Sequence, residues 1–125
     1  MTDAEKIALM DKLAAGFNAH DADMLMECMS DDCVFYGAAG PTERGGVYEG
    51  PAAVKAAYAA VWQKYPDARW NNPTHFASGN QGISQWLFTG TTADGKEKSE
   101  VYGCDIFEFK GNKIRIKDSF RKQRT

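Results

Sequence analysis

Phe107-Glu108-Phe109-Lys110-Gly111-Asn112-Lys113-Ile114-Arg115-Ile116 reads as a β-hairpin, two alternating apolar and charged runs meeting at the turn signal Gly111-Asn112. Folding about that turn sets Phe109 opposite Ile114 and Phe107 opposite Ile116, and carries Asp105 opposite Asp118. On the other face Glu108 meets Arg115, a favourable cross-strand charge pair. Asp105 and Asp118 are thus expected in line with a core stripe. Two carboxylates sharing a poorly solvated cavity do not both ionise cheaply, which leaves one acid and one base to move a proton beside a carbonyl. A bulge in the hairpin, or solvent at its end, would separate them instead.

Working outward, Asp94-Gly95 predicts a second hairpin that places Phe88 opposite Val101, Trp86 opposite Gly103 and Ser84 opposite Asp105. Both hairpins then share one inward face, and bare Gly103 leaves room for the Trp86 indole. Near Gly79-Asn80-Gln81-Gly82 the register is open: one choice turns His75 inward opposite Trp86, and a slip of one turns it out. Leu87, Tyr102, Cys104 and Ile106 face outward among Gln85, Lys117 and Ser119. That apolar centre with a polar rim predicts a homodimer packed through the outer sheet face.

The first half is helical. Ile7, Met10, Leu13, Ala14 and Phe17 follow helical spacing from Asp3 to about Phe17. Asp21 or Asp23 caps a short helix carrying Met24, Leu25, Cys28 and Met29. Cys33 to Tyr36 is a short strand, followed by a glycine-rich loop from Gly37 to Gly46 that looks like a mobile lid. Gly50-Pro51 opens a third helix, buried through Val54, Ala57, Tyr58, Val61, Trp62 and Tyr65 and stopped by Pro66.

At 125 residues there is room for one domain, spanning 1–125. A 43% hydrophobic and 26% charged chain is an ordinary soluble composition, and a net charge of −2 gives no electrostatic case for nucleic acid or an acidic membrane. Arg115, Lys117, Arg121, Lys122 and Arg124 read as a solvated basic tail. No signal segment or bilayer-length apolar run is present. Three cysteines without ligand spacing are expected to be reduced, in a cytoplasmic protein. No zinc spacing, phosphate loop or dinucleotide fingerprint occurs, so no cofactor and no metal is expected.

The motifs Asn18-Ala19-His20-Asp21-Ala22-Asp23, Asp31-Asp32-Cys33-Val34-Phe35, Tyr48-Glu49-Gly50-Pro51-Ala52-Ala53-Val54, Trp86-Leu87-Phe88-Thr89-Gly90-Thr91, Gly103-Cys104-Asp105-Ile106-Phe107-Glu108-Phe109 and Lys113-Ile114 carry a family resemblance. With the order helix, helix, strand, loop, helix and strand meander, nearly the whole chain resembles the nuclear transport factor two-like superfamily. That superfamily includes ketosteroid isomerase, scytalone dehydratase and polyketide cyclases of the SnoaL type. The resemblance implies an α+β cone, a curved antiparallel sheet wrapped around three N-terminal helices with an apolar pocket at its open end. It also implies acid–base chemistry by aspartates with a tyrosine or histidine. The Asp-Arg-Asp trio of the epoxide hydrolases and the helix-one tyrosine of ketosteroid isomerase are missing, which leaves the reaction open.

The expected catalytic set is Asp105 as base with Asp118, Tyr36 or His75 as partner. Tyr58, Trp62, Trp70, Trp86, Phe88 and Phe107 are expected to line the ligand pocket, each with the alternative of plain core. The leading expectation is a cofactor-independent isomerase, cyclase or dehydratase acting on a small apolar metabolite. A non-catalytic binding or dimerisation module is the second, and a protein-interaction adaptor the third.

Overall fold

A computed structural model describes all residues, Met1–Thr125. Helix α1 spans Asp3–Ala19 and starts from a capping box in which Thr2 and Glu5 satisfy each other's backbone N–H. It buries Met10, Leu13, Gly16 and Phe17, while Ile7 stays exposed. His20 ends it in the left-handed conformation. Asp21 caps α2 (Ala22–Glu27) by accepting the Met24 N–H at 3.1 Å. Strand β1 (Met29–Tyr36) is longer than its sequence signal, and β2 (Val47–Glu49) is a short exposed strand with no such signal. Helix α3 (Pro51–Lys64) begins with proline in its first turn, where no N–H is needed.

The rest is a meander of β3 (Arg69–Ser78), β4 (Gln81–Thr91), β5 (Lys98–Lys110) and β6 (Lys113–Arg121). Six strands form one curved, unclosed sheet in the order β2-β1-β6-β5-β4-β3, antiparallel except where β1 runs parallel to β6. The three helices lie against one face, so the α+β cone expected from the sequence is the fold. Phe17, Tyr58, Trp70, Phe88 and Phe107 are among the core side chains between helices and sheet.

The β4–β5 register is the one read from the sequence: Phe88 pairs Val101, Trp86 pairs Gly103 and Ser84 pairs Asp105. The β5–β6 register is not. It begins as expected, with Phe109 opposite Ile114, but a bulge lets Glu108 pair Ile116 and leaves Arg115 as the extra residue. Arg115 turns instead to Asp32 of β1 at 3.3 Å, where Lys110 also binds at 2.7 Å, and Lys110, the Ser30 hydroxyl and Arg115 together hold the Asp32 carboxyl well below the usual range. Beyond the bulge every β6 side chain changes face. Asp105 therefore opposes Ser119, and Phe107 opposes Lys117.

Candidate functional site

The inner face of β6 beyond the bulge carries Lys117, Ser119 and Arg121, at the two-residue spacing of a strand. Lys117 is buried and enters a cage of rings, its Nζ 4.7 Å from the Phe35 centroid, 4.9 Å from Phe17 and 5.3 Å from Tyr58. Such faces attract a cation but do not replace water, so an ion partner is required. Asp105 supplies it, with Oδ1 3.1 Å from Nζ. Ser119 Oγ accepts from Lys117 Nζ at 2.8 Å and donates to the same Asp105 oxygen at 2.5 Å. The other carboxylate oxygen accepts the Trp86 indole N–H at 3.0 Å.

Burial pushes the Lys117 ammonium below the ordinary lysine value, and the Asp105 charge opposes that shift. Burial, reinforced by the same charge, holds the Tyr58 phenol well above its usual range, so it stays protonated. An ammonium has three N–H donors. Asp105 and Ser119 take two from Lys117, leaving one without a polar acceptor.

Above this pair lies a cavity of 1020 Å³ between α3, the Ala38-Ala39 stretch and the C-terminal end of the sheet. Lys117 and Ser119 sit in its wall with Phe35, Tyr58, Trp70 and Trp86. Asp105 is 5% exposed and belongs instead to a small cleft beneath, among Met10, Leu13 and Phe107. It reaches the cavity only through Lys117 and Ser119.

The remaining expected site residues are dispersed. Asp118 opposes Ile106 rather than Asp105 and pairs Tyr36 across the parallel ladder, so both lie on the outer face. There Arg44 approaches Asp118 to 3.9 Å and covers the Tyr36 ring at 4.6 Å. Partial burial raises the Asp118 carboxyl, with Arg44 opposing. His75 faces inward, but opposite Ser84, two residues from the Trp86 of the inward register, and its Nδ1 lies 2.7 Å from Ser84 Oγ. Its Nε2 is 3.4 Å from Asp11 of α1. Of the expected lining, Tyr58, Trp70 and Trp86 face the cavity. Phe107 lines the lower cleft. Phe88 is buried behind the cavity wall, and Trp62 donates its N–H to the Phe17 carbonyl while stacking on His20. No cluster of three or more His, Cys, Asp or Glu side chains could hold a metal ion.

Lys117, Ser119 and Arg121 were read from the sequence as outward or solvated. Their alternation was legible, but its phase depended on the bulge.

Gly103 is the structural guarantor of the Trp86–Asp105 bond. A Cβ there would stand 2.5 Å from Trp86 ring carbons and from the Phe120 carbonyl oxygen. Gly103→Ala is expected to cost about 2 kcal/mol through overpacking. Urea denaturation of the variant beside wild type checks this, and an unchanged midpoint would show that the indole is free to move.

The sequence profile of the SnoaL-like domain family matches residues 10–116. No curated protein matches significantly. Among solved structures, the chain is similar to Bal32a from a soil-derived mobile gene cassette, with TM-score 0.84 at 17% identity over 97% of this chain and 92% of that one. A nuclear transport factor two-like protein of Mesorhizobium loti superposes with TM-score 0.79 at 21% identity, covering 97% and 93% of the two chains. A protein of Catenulispora acidiphila with a ketosteroid isomerase-like fold, solved with trimethylamine, gives TM-score 0.79 at 12% identity over 90% and 83%. At these identities the structural likeness establishes the fold alone.

Proposed function

The chain belongs to the SnoaL-like domain family, and on that premise we propose that it binds a small, largely apolar carbonyl compound in the cone and promotes proton transfer on it without a cofactor. The observation that carries this reading is Lys117 in the wall of a 1020 Å³ cavity, buried and paired to Asp105 beneath it, with one ammonium N–H unused. A carbonyl oxygen placed on that donor gains negative charge as its α-proton leaves, and an ammonium held fixed by Asp105 among three rings stabilises that charge. The released proton passes to water in the open cavity. Asp105 acts through Lys117, keeping it charged and fixed, and Ser119 links the two. Isomerisation, cyclisation and dehydration all begin with this step. Asp118, Tyr36 and His75 have no place in this scheme.

A second reading, a non-catalytic binding module, is favoured by a specific feature: Asp105 already accepts from three donors and offers nothing to the cavity. Deuterium incorporation at the α-carbon of tetralone in D2O, followed by NMR, separates the two. The proton-transfer reading expects exchange at least about tenfold above buffer, lost in Lys117→Met. Binding without exchange would leave the module.

The outer sheet face supports a homodimer, since Phe76, Tyr102 and Phe120 are 53%, 65% and 48% exposed there. Light scattering behind size-exclusion chromatography is expected to give twice the 13.8 kDa chain mass, and a monomer at micromolar concentration would remove the dimer. No helix is long and apolar enough to cross a membrane. The free Cys28, Cys33 and Cys104 support a reducing compartment such as the cytoplasm.

A further inference from the structure

Arg121 is the one cation on the inner face of β6 with no ionic partner. Lys117 has Asp105, but none of the ion pairs in the chain includes Arg121. Its Nε is buried without any hydrogen-bond acceptor. The guanidinium sits over aromatic rings, its carbon 4.0 Å from the Phe88 centroid and 5.8 Å from that of Trp86. Leaving a buried charged donor unmet is costly, and a structural role would have supplied a carboxylate. Arginine stays charged even when burial lowers its value, so the group does not escape by losing its proton.

The cavity shows the same imbalance. Lys64, Lys98, Lys117, Arg121, Lys122 and Arg124 line it, and Glu100 is the only acidic residue in its wall. The protein as a whole carries a net charge of −2, so this concentration of positive charge is local. A cleft of one sign with apolar walls focuses its field on an incoming ion of the other sign.

We propose that the cavity is selective for organic anions, an apolar body bearing a carboxylate that Arg121 receives through its planar donor fork. The proposal rests on the cavity being the ligand site. Arg121 and Lys117 are four residues apart on one strand face, roughly 13 Å along the backbone. A ligand anchored by its carboxylate at Arg121 therefore extends its other end toward the free Lys117 donor. The basic rim formed by Lys98, Lys122 and Arg124 steers the anion in, and only the half-buried Arg121 discriminates once it is seated.

Calorimetric titration with naphthoate and with its neutral methyl ester tests this on the intact protein. Naphthoate is expected to bind at least about tenfold tighter than the ester, corresponding to about 1.4 kcal/mol. That preference is expected to fall within about twofold in Arg121→Met, and to survive in Lys122→Gln and in a high-salt buffer. Arg121→Lys, which keeps the charge but not the fork, is expected to fall between. Circular dichroism and melting confirm that each variant is folded, and the wild-type comparison stands without any of them. Equal affinity for acid and ester, or a preference that survives Arg121→Met, overturns the anion proposal while leaving the cavity as a binding site. Failure of both probes to bind at millimolar concentration overturns the proposal and the binding site with it.

Discussion

Lys117→Met is expected to lower the stability of the fold by about 3 kcal/mol at neutral pH, the usual cost of removing one partner from a buried ion pair. Methionine has nearly the shape of the lysine stem and keeps its contact with Phe17, Phe35 and Tyr58, so lost packing accounts for little of it. The cost falls on Asp105, which is left buried with Trp86 and Ser119 as its remaining donors. The double variant Asp105→Asn with Lys117→Met is expected to recover much of the loss, because neither charge then needs solvation. Urea denaturation of the two single variants and the double variant measures the coupling. A single-variant cost under about 1 kcal/mol would mean that the pair is well solvated and not the buried centre described above.

Asp105→Asn is expected to bring α-proton exchange down close to the buffer rate while ligand affinity changes little, since Asp105 has no wall in the main cavity. An asparagine amide cannot accept from all three donors. Turned to accept from Ser119 and Lys117, it points its own N–H group at the Trp86 indole N–H, and turned over it confronts the ammonium. Lys117 then loses its counter-ion, and the charge meant for the ligand oxygen is destabilised or displaced. Exchange at the wild-type rate in this variant would remove the aspartate from the mechanism.

The fold was legible because its signals were local or mutually checking. Asp21 and Pro51 start helices where their side chains can cap or fit a first turn. The β4–β5 register was doubly determined, by the Asp94-Gly95 turn and by the need for a bare Gly103 under Trp86. The site was half legible. Asp105 falls on the inner face as its hairpin required, and its expected partner does not. What reversed the last strand was Arg115, whose partner Asp32 comes from β1, a strand about eighty positions earlier that runs parallel to β6. A hairpin read by itself prefers the neighbouring Glu108, and the long-range carboxylate is invisible to it. One extra residue was enough to exchange Asp118 for Lys117 and Ser119 at the site, and to bring Arg121 from the solvated tail into the cavity wall. Strand β2 escaped notice because three exposed residues beside a glycine-rich loop carry no periodicity.

The pH dependence of stability has a sign set by the same pair. Burial holds Lys117 below its unfolded-state value, so between the two values the unfolded chain binds more protons and stability contributed by this group rises with pH. The most direct measurement of the account is an NMR titration of the Lys117 Nζ in wild type and in Asp105→Asn. The buried pair requires Lys117 to titrate below an ordinary lysine, and lower still once the aspartate charge is gone. An Nζ that titrates like a surface lysine in both proteins would contradict it, and the cavity would then have no charged floor on which to do chemistry.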